Sequence, residues 1–191
     1  FSKRLDQIQA QGLDCHNLYQ LKITSLPVSV DVRSIMKTAI EYYNYEIFSK
    51  QIKLTLTNPK DSKVELYNEV LFTRALLGVI GLLIRLATKN KEMIIDMETE
   101  NNSLVVTITG EGYGWGLDDA EKLLQASIED DLILNPKLIK LFLYILDIKT
   151  SNCLRLNGKN QLILNIPHKV NRDAISDRKP GSNVVSLYAK T

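Results

Sequence analysis

The sequence NEVLFTRALLGVIGLLIRLAT, residues 68–88, is apolar on nearly every side and decides the architecture of the chain. Arg74 and Arg85 interrupt it, and the unbroken apolar run from Ala75 to Ile84 is shorter than the roughly 20 residues that a membrane-spanning helix needs. A helix that is apolar all round and does not cross a bilayer is buried within a protein. The segment therefore predicts a core helix against which the other elements pack.

The segments on either side of this helix carry helix and strand signals in a definite order. Asp31 is a suitable N-cap for a helix with apolar residues at helical spacing, and Asn135 followed by Pro136 starts another. Two apolar runs joined by the polar turn 99–103 predict a β-hairpin. The predicted helices are 31–49, 68–88, 117–125 and 135–147, and the predicted strands are 52–57, a short one around Val64, 93–98, 104–109, 153–156 and 161–166. This order predicts an α+β protein, a two-layer α/β sandwich with a mostly antiparallel, mixed sheet packed on helices.

Composition and charge exclude several classes of function. The hydrophobic fraction is 45% and the formal net charge is +2, as in an ordinary globular protein. Lys and Arg are scattered, so neither a nucleic-acid interface nor a membrane contact is predicted. Cys15 and Cys153 lack the spacing of a zinc site. Two unpaired thiols fit a reducing compartment, so a cytoplasmic location is expected. The chain begins at Phe1, and we expect it to be an excised fragment.

Four segments together form a wider pattern. They are PVSVDVRSIMKTAIEYY (27–43), NEVLFTRALLGVIGLLIRLAT (68–88), LVVTITGEGYGWGLDDAEKLL (104–124) and LILNIP (162–167). In order and spacing they resemble the catalytic ATP-binding domain of sensor histidine kinases, which has the Bergerat fold of gyrase-type and chaperone ATPases. They correspond to its opening helix, the helix with the N box, the first glycine box and the terminal strand. The resemblance covers about residues 27–167 and implies that fold.

The helix that resembles the N box lacks the polar side chains of the family. Gly78 and Leu82 fall where the family has asparagines, and the second of these binds the Mg²⁺ beside the ATP phosphates. Leucine offers no oxygen to a hard cation. Arg85 falls where a lysine is common, so the positive charge alone is kept. The resemblance therefore implies that the metal position is lost, and no metal site is predicted.

The segment that resembles the first glycine box has changed as well. Gly110 falls where the family has an aspartate that accepts a hydrogen bond from the adenine amino group, which glycine cannot do. Glu111 is adjacent, but neighbouring residues of a strand point to opposite faces, so we do not expect it to replace that carboxylate. Gly112 and Gly114 keep the Gly-x-Gly spacing. A plain turn between strand and helix explains this segment at least as well as ligand binding does.

The phosphate-binding parts of the family are also replaced. The second glycine box, where the amides of a helix N-terminus usually cradle phosphates, becomes NPKLIKL (135–141), which has no glycine and in which Pro136 removes a backbone donor. A short acidic connector, 126–134, takes the place of the ATP lid. We therefore expect no cofactor, and ATP with Mg²⁺ only if a divergent site is functional.

No catalytic residue is predicted from any other motif. His16 lies in DCHNLYQ, without the acidic residue and the proline that accompany a phosphoacceptor histidine, and is interpreted as a loop residue. His168 follows the last strand and is expected to be exposed. The acidic run 129–131 is interpreted as a solvated connector rather than a metal site.

These observations predict three parts: the end of a dimerisation-type helix with a connector (1–26), a histidine-kinase-like ATPase domain (27–167) and a polar tail (168–191). The expected function is that of a pseudokinase, a docking or regulatory module in two-component or phosphorelay signal transduction. Its expected partners are a response regulator or a partner histidine kinase, with a homodimer formed through upstream helices. The alternatives are a functional sensor histidine kinase with a divergent ATP site that uses Glu111 or Arg85, a histidine phosphotransferase with a degenerate ATPase-like domain, and an unrelated α+β binding module.

Overall fold

The computed structural model describes residues 27–57, 62–112, 117, 135–154 and 159–169. Its elements follow the predicted order closely. The strands are β1 (Val28–Asp31), β2 (Lys53–Leu56), β3 (Lys63–Leu66), β4 (Glu92–Glu100), β5 (Ser103–Gly110), β6 (Lys149–Leu154) and β7 (Asn160–Pro167). The helices are α1 (Val32–Tyr42), α2 (Asn44–Ser49), α3 (Glu69–Leu86) and α4 (Pro136–Ile145).

The main sheet has five strands in the order β2-β4-β5-β7-β6. The β2–β4 pair is parallel and the others are antiparallel. Along β4, β5 and β7 alternate residues are buried, so one face of the sheet meets the helices and the other is more exposed. The buried faces of sheet and helices share a single hydrophobic core. The prediction of a two-layer α+β sandwich with a mixed sheet is confirmed.

Helix α3 occupies the centre of the helical layer, as its sequence predicts. Asn68 caps it by accepting a hydrogen bond from the backbone N–H of Leu71 at 2.8 Å. The helix packs against both α1 and α4, which explains why it is apolar on nearly every side. In the described part of the chain, no helix combines the length and the apolar character needed to span a membrane.

The helix predicted for residues 31–49 is instead divided into α1 and α2 at Tyr43. Asp31 caps α1 as expected, and its carboxylate accepts hydrogen bonds from Arg33 N at 3.1 Å and Ser62 Oγ at 2.5 Å. The backbone of Tyr43 departs from helical geometry, with φ −96° and ψ 17°. Hydrogen bonds from Tyr43 N to Ala39 O and from Ile47 N to Tyr43 O nevertheless continue across the break. The two helices therefore remain nearly continuous.

The β4–β5 hairpin is confirmed, with a turn tighter than predicted. Glu100 pairs directly with Ser103, so only Asn101 and Asn102 form the loop. Both asparagines have positive φ, 44° and 65°. Two-residue hairpin loops favour this left-handed conformation because it matches the twist of the flanking strands, and asparagine tolerates it better than most residues.

Two strand assignments from the sequence need correction. The sequence predicts a connector with some extended character over residues 13–30, followed by the cap Asp31. Residues 28–31 instead form β1, which pairs with β3 in a separate two-stranded sheet. The β6 strand begins at Lys149 rather than Cys153, and its polar sequence, KTSN, lacks the alternation that identifies a strand.

The position of His168 also differs from the prediction. His168, expected to be exposed, is partly buried, and its backbone carbonyl accepts a hydrogen bond from Glu65 N at 3.0 Å.

Candidate functional site

The candidate site is the place where the middle of α3, the end of β5 and the start of α4 would surround a nucleotide in the family that the sequence resembles. Gly78 and Leu82 lie one helical turn apart in α3, and both are buried. The side chain of Leu82 has no exposed surface and belongs to the hydrophobic core. The Leu82 side chain therefore offers hydrocarbon and no oxygen ligand for a metal ion.

Arg85 lies in the last turn of α3, where its side chain is exposed. A positive charge at this end of a helix complements the partial negative charge of the final carbonyl groups. The structure therefore gives Arg85 a favourable position in the helix.

Gly110 ends β5 and lies on the buried face of the sheet. It follows Leu104, Val106 and Ile108, each of which is fully buried, and it stands opposite Met93 of β4. The helix-facing position at the end of β5 is therefore filled by a residue without a side chain. Gly110 itself therefore offers no carboxylate to accept a hydrogen bond from an adenine amino group.

Glu111 contacts two residues of the segment that joins α3 to β4. Its Oε2 atom lies 2.9 Å from Nζ of Lys91, and its backbone carbonyl accepts a hydrogen bond from Thr88 N at 2.8 Å. The Glu111 and Lys91 side chains are 34% and 46% exposed, so this ion pair lies at the surface. The carboxylate therefore makes a local electrostatic contact in the structure.

Gly112 continues this connection between the glycine segment and its neighbours. It forms an isolated antiparallel bridge with Ala87, and its carbonyl accepts a hydrogen bond from Nδ2 of Asn160 at 2.7 Å. The first residues of the glycine segment are thus fixed to the end of α3 and the start of β7. Three predicted parts of this region lie outside the described residues: Gly114, the short helix 117–125 apart from Leu117, and the acidic connector 126–134.

The C-terminal end of α3 is held by Lys50, which follows α2. Its Nζ atom donates hydrogen bonds to the carbonyl oxygens of Ile84, Arg85 and Ala87 at 2.9, 2.5 and 3.2 Å. The last carbonyls of a helix have no partner within the helix, so the ammonium group satisfies groups that would otherwise depend on water. Burial lowers the pKa of Lys50, and the positive charges of Lys89 and Arg85 lower it further.

The N-terminus of α4 uses its own residues to satisfy its first amides. Oδ1 of Asn135 accepts hydrogen bonds from the backbone N–H groups of Lys137 and Leu138, at 3.0 and 3.3 Å. Pro136 has no N–H group, and Ile139 N donates to Asn135 O at 3.0 Å. The first turn of α4, which the structure describes completely, therefore has no unpaired amide with which to hold a phosphate group.

The described part of the chain offers no alternative set of metal ligands. Across the described ranges, no three His, Cys, Asp or Glu side chains come together in a way that would hold one. The residues that the structure brings together at the candidate site are instead apolar, or are polar groups bonded to one another.

The structure is similar to catalytic domains of sensor histidine kinases. The catalytic domain of histidine kinase ThkA in a nucleotide-free form aligns with a TM-score of 0.59 and 14% identity, over 76% of this chain and 99% of that domain. Histidine kinase AdeS of Acinetobacter baumannii aligns with a TM-score of 0.58 and 14% identity, over 88% of this chain and 83% of that one.

A third similar structure is ThkA in complex with the response regulator protein TrrA. The TM-score is 0.56 and the identity 14%, over 80% of this chain and 43% of that one. No protein-family model matches the sequence, and neither does any curated protein. The chain therefore has the fold of the histidine kinase ATP-binding domain, which confirms the resemblance inferred from its sequence.

Proposed function

We propose that this chain is a histidine-kinase-like domain of two-component signal transduction that does not use ATP and acts by binding a signalling partner. The observation that supports the proposal is the complete burial of Leu82 within the core. The resemblance in sequence assigns this residue to the position where the family binds Mg²⁺. Coordination of Mg²⁺ requires oxygen ligands at fixed distances, and a buried isobutyl group provides none.

The contacts for the base and the phosphates point to the same conclusion. Gly110 has no side-chain acceptor for adenine, and the adjacent Glu111 carboxylate is 2.9 Å from Lys91 Nζ. The backbone amides at the start of α4 already donate hydrogen bonds to Oδ1 of Asn135. Metal, base and phosphate contacts are made by different elements, so a single shift in the alignment of the sequence does not account for all three differences.

The partner that we propose is a response regulator. The similar structure of ThkA was determined in complex with such a protein. A domain that retains this fold but not the nucleotide contacts still has an outer surface with which to bind the partner. This role requires a stable scaffold, which the shared core provides, and requires no catalytic residue.

Calorimetric titration with ATP in the presence of Mg²⁺ tests the loss of nucleotide binding. We expect no binding heat and no change in the melting temperature at millimolar ATP. A ligand present at 100 times its dissociation constant stabilises a protein by about 2.7 kcal/mol, so micromolar affinity would be unmistakable in the melting experiment. A histidine kinase catalytic domain known to bind ATP, titrated in the same buffer, is the positive control. Micromolar binding here would refute the proposal.

The functional-kinase alternative is tested by autophosphorylation. The longest available form of the protein is incubated with labelled ATP, and we expect no label to be incorporated. Label that is lost on replacing Glu111 or Arg85, but retained on replacing the exposed Glu98, would favour a divergent active site. Label that is absent with ATP alone, but passes to the protein from a partner already carrying the labelled phosphoryl group, would favour a phosphotransferase.

A further inference from the structure

The outer side of α1 and α2 exposes three large aromatic side chains. Tyr42 is 62% exposed, and Tyr45 and Phe48 are each 81% exposed. We call these three residues the aromatic patch. Contiguous apolar surface on a soluble domain commonly marks a binding site, because leaving aromatic rings in water is unfavourable. The candidate nucleotide site does not involve them.

The patch forms a regular row along one helical face. Its residues are spaced by three, so successive members are neighbours on the helix surface, whereas Tyr43 and Ile47, which lie between them in sequence, are buried. The hydrogen bond from Ile47 N to Tyr43 O, 3.0 Å long, keeps the two helices in register through the row. The patch therefore presents a ridge of the kind that packs into the groove of another helix.

The patch is also partly fixed in place before any partner binds. The rings of Tyr42 and Tyr43 meet edge to face, with their centroids 4.9 Å apart and an interplanar angle of 85°. Tyr43 is buried, so it supports the exposed ring from below. Nearby, Ser49 Oγ donates to Glu46 O at 3.0 Å, so this hydroxyl is already satisfied by its own helix. Less side-chain freedom is lost when such a surface binds.

The size of the patch favours a transient partner over a second copy of the chain. With about 150–250 Å² for each fully covered aromatic side chain, the measured exposures give roughly 350–550 Å². Two copies joined through the patch would bury about 700–1,100 Å², which is below the 1,200 Å² at which stable interfaces begin. Transient signalling contacts lie in this smaller range.

We propose that the aromatic patch is the docking surface for an apolar-faced α-helix of the response regulator partner. This inference rests on the function proposed above. The aromatic row supplies the ridge, and the partner helix supplies the groove. The affinity is that of a transient contact, because the buried area is small.

The test uses the ¹⁵N-labelled chain and a panel of purified receiver domains from the same organism. Chemical-shift changes are expected to centre on α1 and α2 for at least one receiver domain. The double variant Tyr45→Ala/Phe48→Ala should weaken that binding by at least about tenfold, since exposed aromatic residues frequently dominate an interface. Both side chains are largely outside the core, so the melting temperature should be nearly unchanged.

Tyr144→Ala is the matched control, because Tyr144 is an aromatic residue of α4 that is 60% exposed and not part of the patch. It should leave binding unchanged. If a receiver domain binds the double variant as tightly as it binds the parent chain, the aromatic patch is not the docking surface, but the proposed function still stands. Binding by no receiver domain overturns both the patch and the proposed partner. A parent dimer that becomes a monomer in the double variant, seen by analytical ultracentrifugation, overturns the proposal in favour of self-association.

Discussion

In the middle of α3, Gly78 and Leu82 lie inside the hydrophobic core, whereas the end of the same helix is held by polar contacts from Lys50 and from the Thr88–Glu111 hydrogen bond. The fold family that the structure resembles places its polar ligand contacts in the middle. Here the polar contacts stabilise the end of the helix and its junction with the glycine segment. In this chain, hydrophobic packing stabilises the middle of α3, while hydrogen bonding stabilises its end.

The largest expected effect is that of a polar residue in the middle of the helix. Leu82→Asn should lower the free energy of unfolding by about 4 kcal/mol, because it removes buried hydrocarbon and buries an amide without partners. Val70→Asn, on the same helix but at a 65% exposed residue, should change it by less than about 0.5 kcal/mol. Urea denaturation followed by circular dichroism measures both. Equal effects, or Mg²⁺-ATP binding by Leu82→Asn, would show that the position is open rather than packed.

An intermediate effect is expected at the end of the helix. Lys50→Met should cost about 1–2 kcal/mol, because three carbonyl groups lose a charged donor. The matched control is Lys53→Met, since the Lys53 side chain is 82% exposed and its only described ion pair, with Glu92, is 3.8 Å long. That variant should cost less than about 0.5 kcal/mol. If the two variants lower the free energy of unfolding equally in the same denaturation assay, the hydrogen bonds from Lys50 do not stabilise α3.

A smaller effect is expected from the Lys91–Glu111 ion pair. Glu111→Gln and Lys91→Met should each cost about 0.5 kcal/mol, because the pair lies at the surface. A double-mutant cycle isolates the coupling, which should shrink as salt is raised. A coupling that does not respond to salt would mean that the two side chains act through packing.

The smallest effect is expected from pH acting on Lys50. Its pKa in the folded chain is lowered by burial and by Lys89 and Arg85, so the folded state binds fewer protons than the unfolded state between the folded and unfolded pKa values. The contribution of Lys50 to the free energy of unfolding therefore rises with pH through that window, which ends near the ordinary value of 10.5. NMR titration of the Lys50 side chain should give a midpoint below the ordinary value of 10.5. A midpoint at or above that value would contradict the burial of the ammonium group.

The sequence predicted most of the fold because periodic apolar patterns and caps are local signals. Asp31, Asn68 and Asn135 all begin helices as their neighbours in sequence indicate. The break at Tyr43 and the start of β6 were missed, since neither carries a glycine, a proline or a change of period. The resemblance also assigns Leu82 and Gly110 to nucleotide-binding positions, and both that assignment and the loss of ligand contacts stay predictions.

The contacts that hold the candidate site together were beyond sequence reasoning. Lys50 reaches carbonyls more than thirty residues away, and Asn160 reaches Gly112 across the sheet. No local pattern distinguishes these residues from other surface lysines and asparagines. Such partners are set by tertiary structure, so only coordinates identify them.

The composition of the sheet edge has a consequence for how this protein behaves at high concentration. The outermost strand, β6, is polar along residues 149–152, and these side chains are exposed. An edge strand leaves backbone donors and acceptors unpaired, and a hydrophobic one would recruit strands from other molecules. A hydrophilic border with a lysine at its start discourages that kind of fibrillar growth. Concentrated samples should therefore resist β-aggregation from this side of the domain.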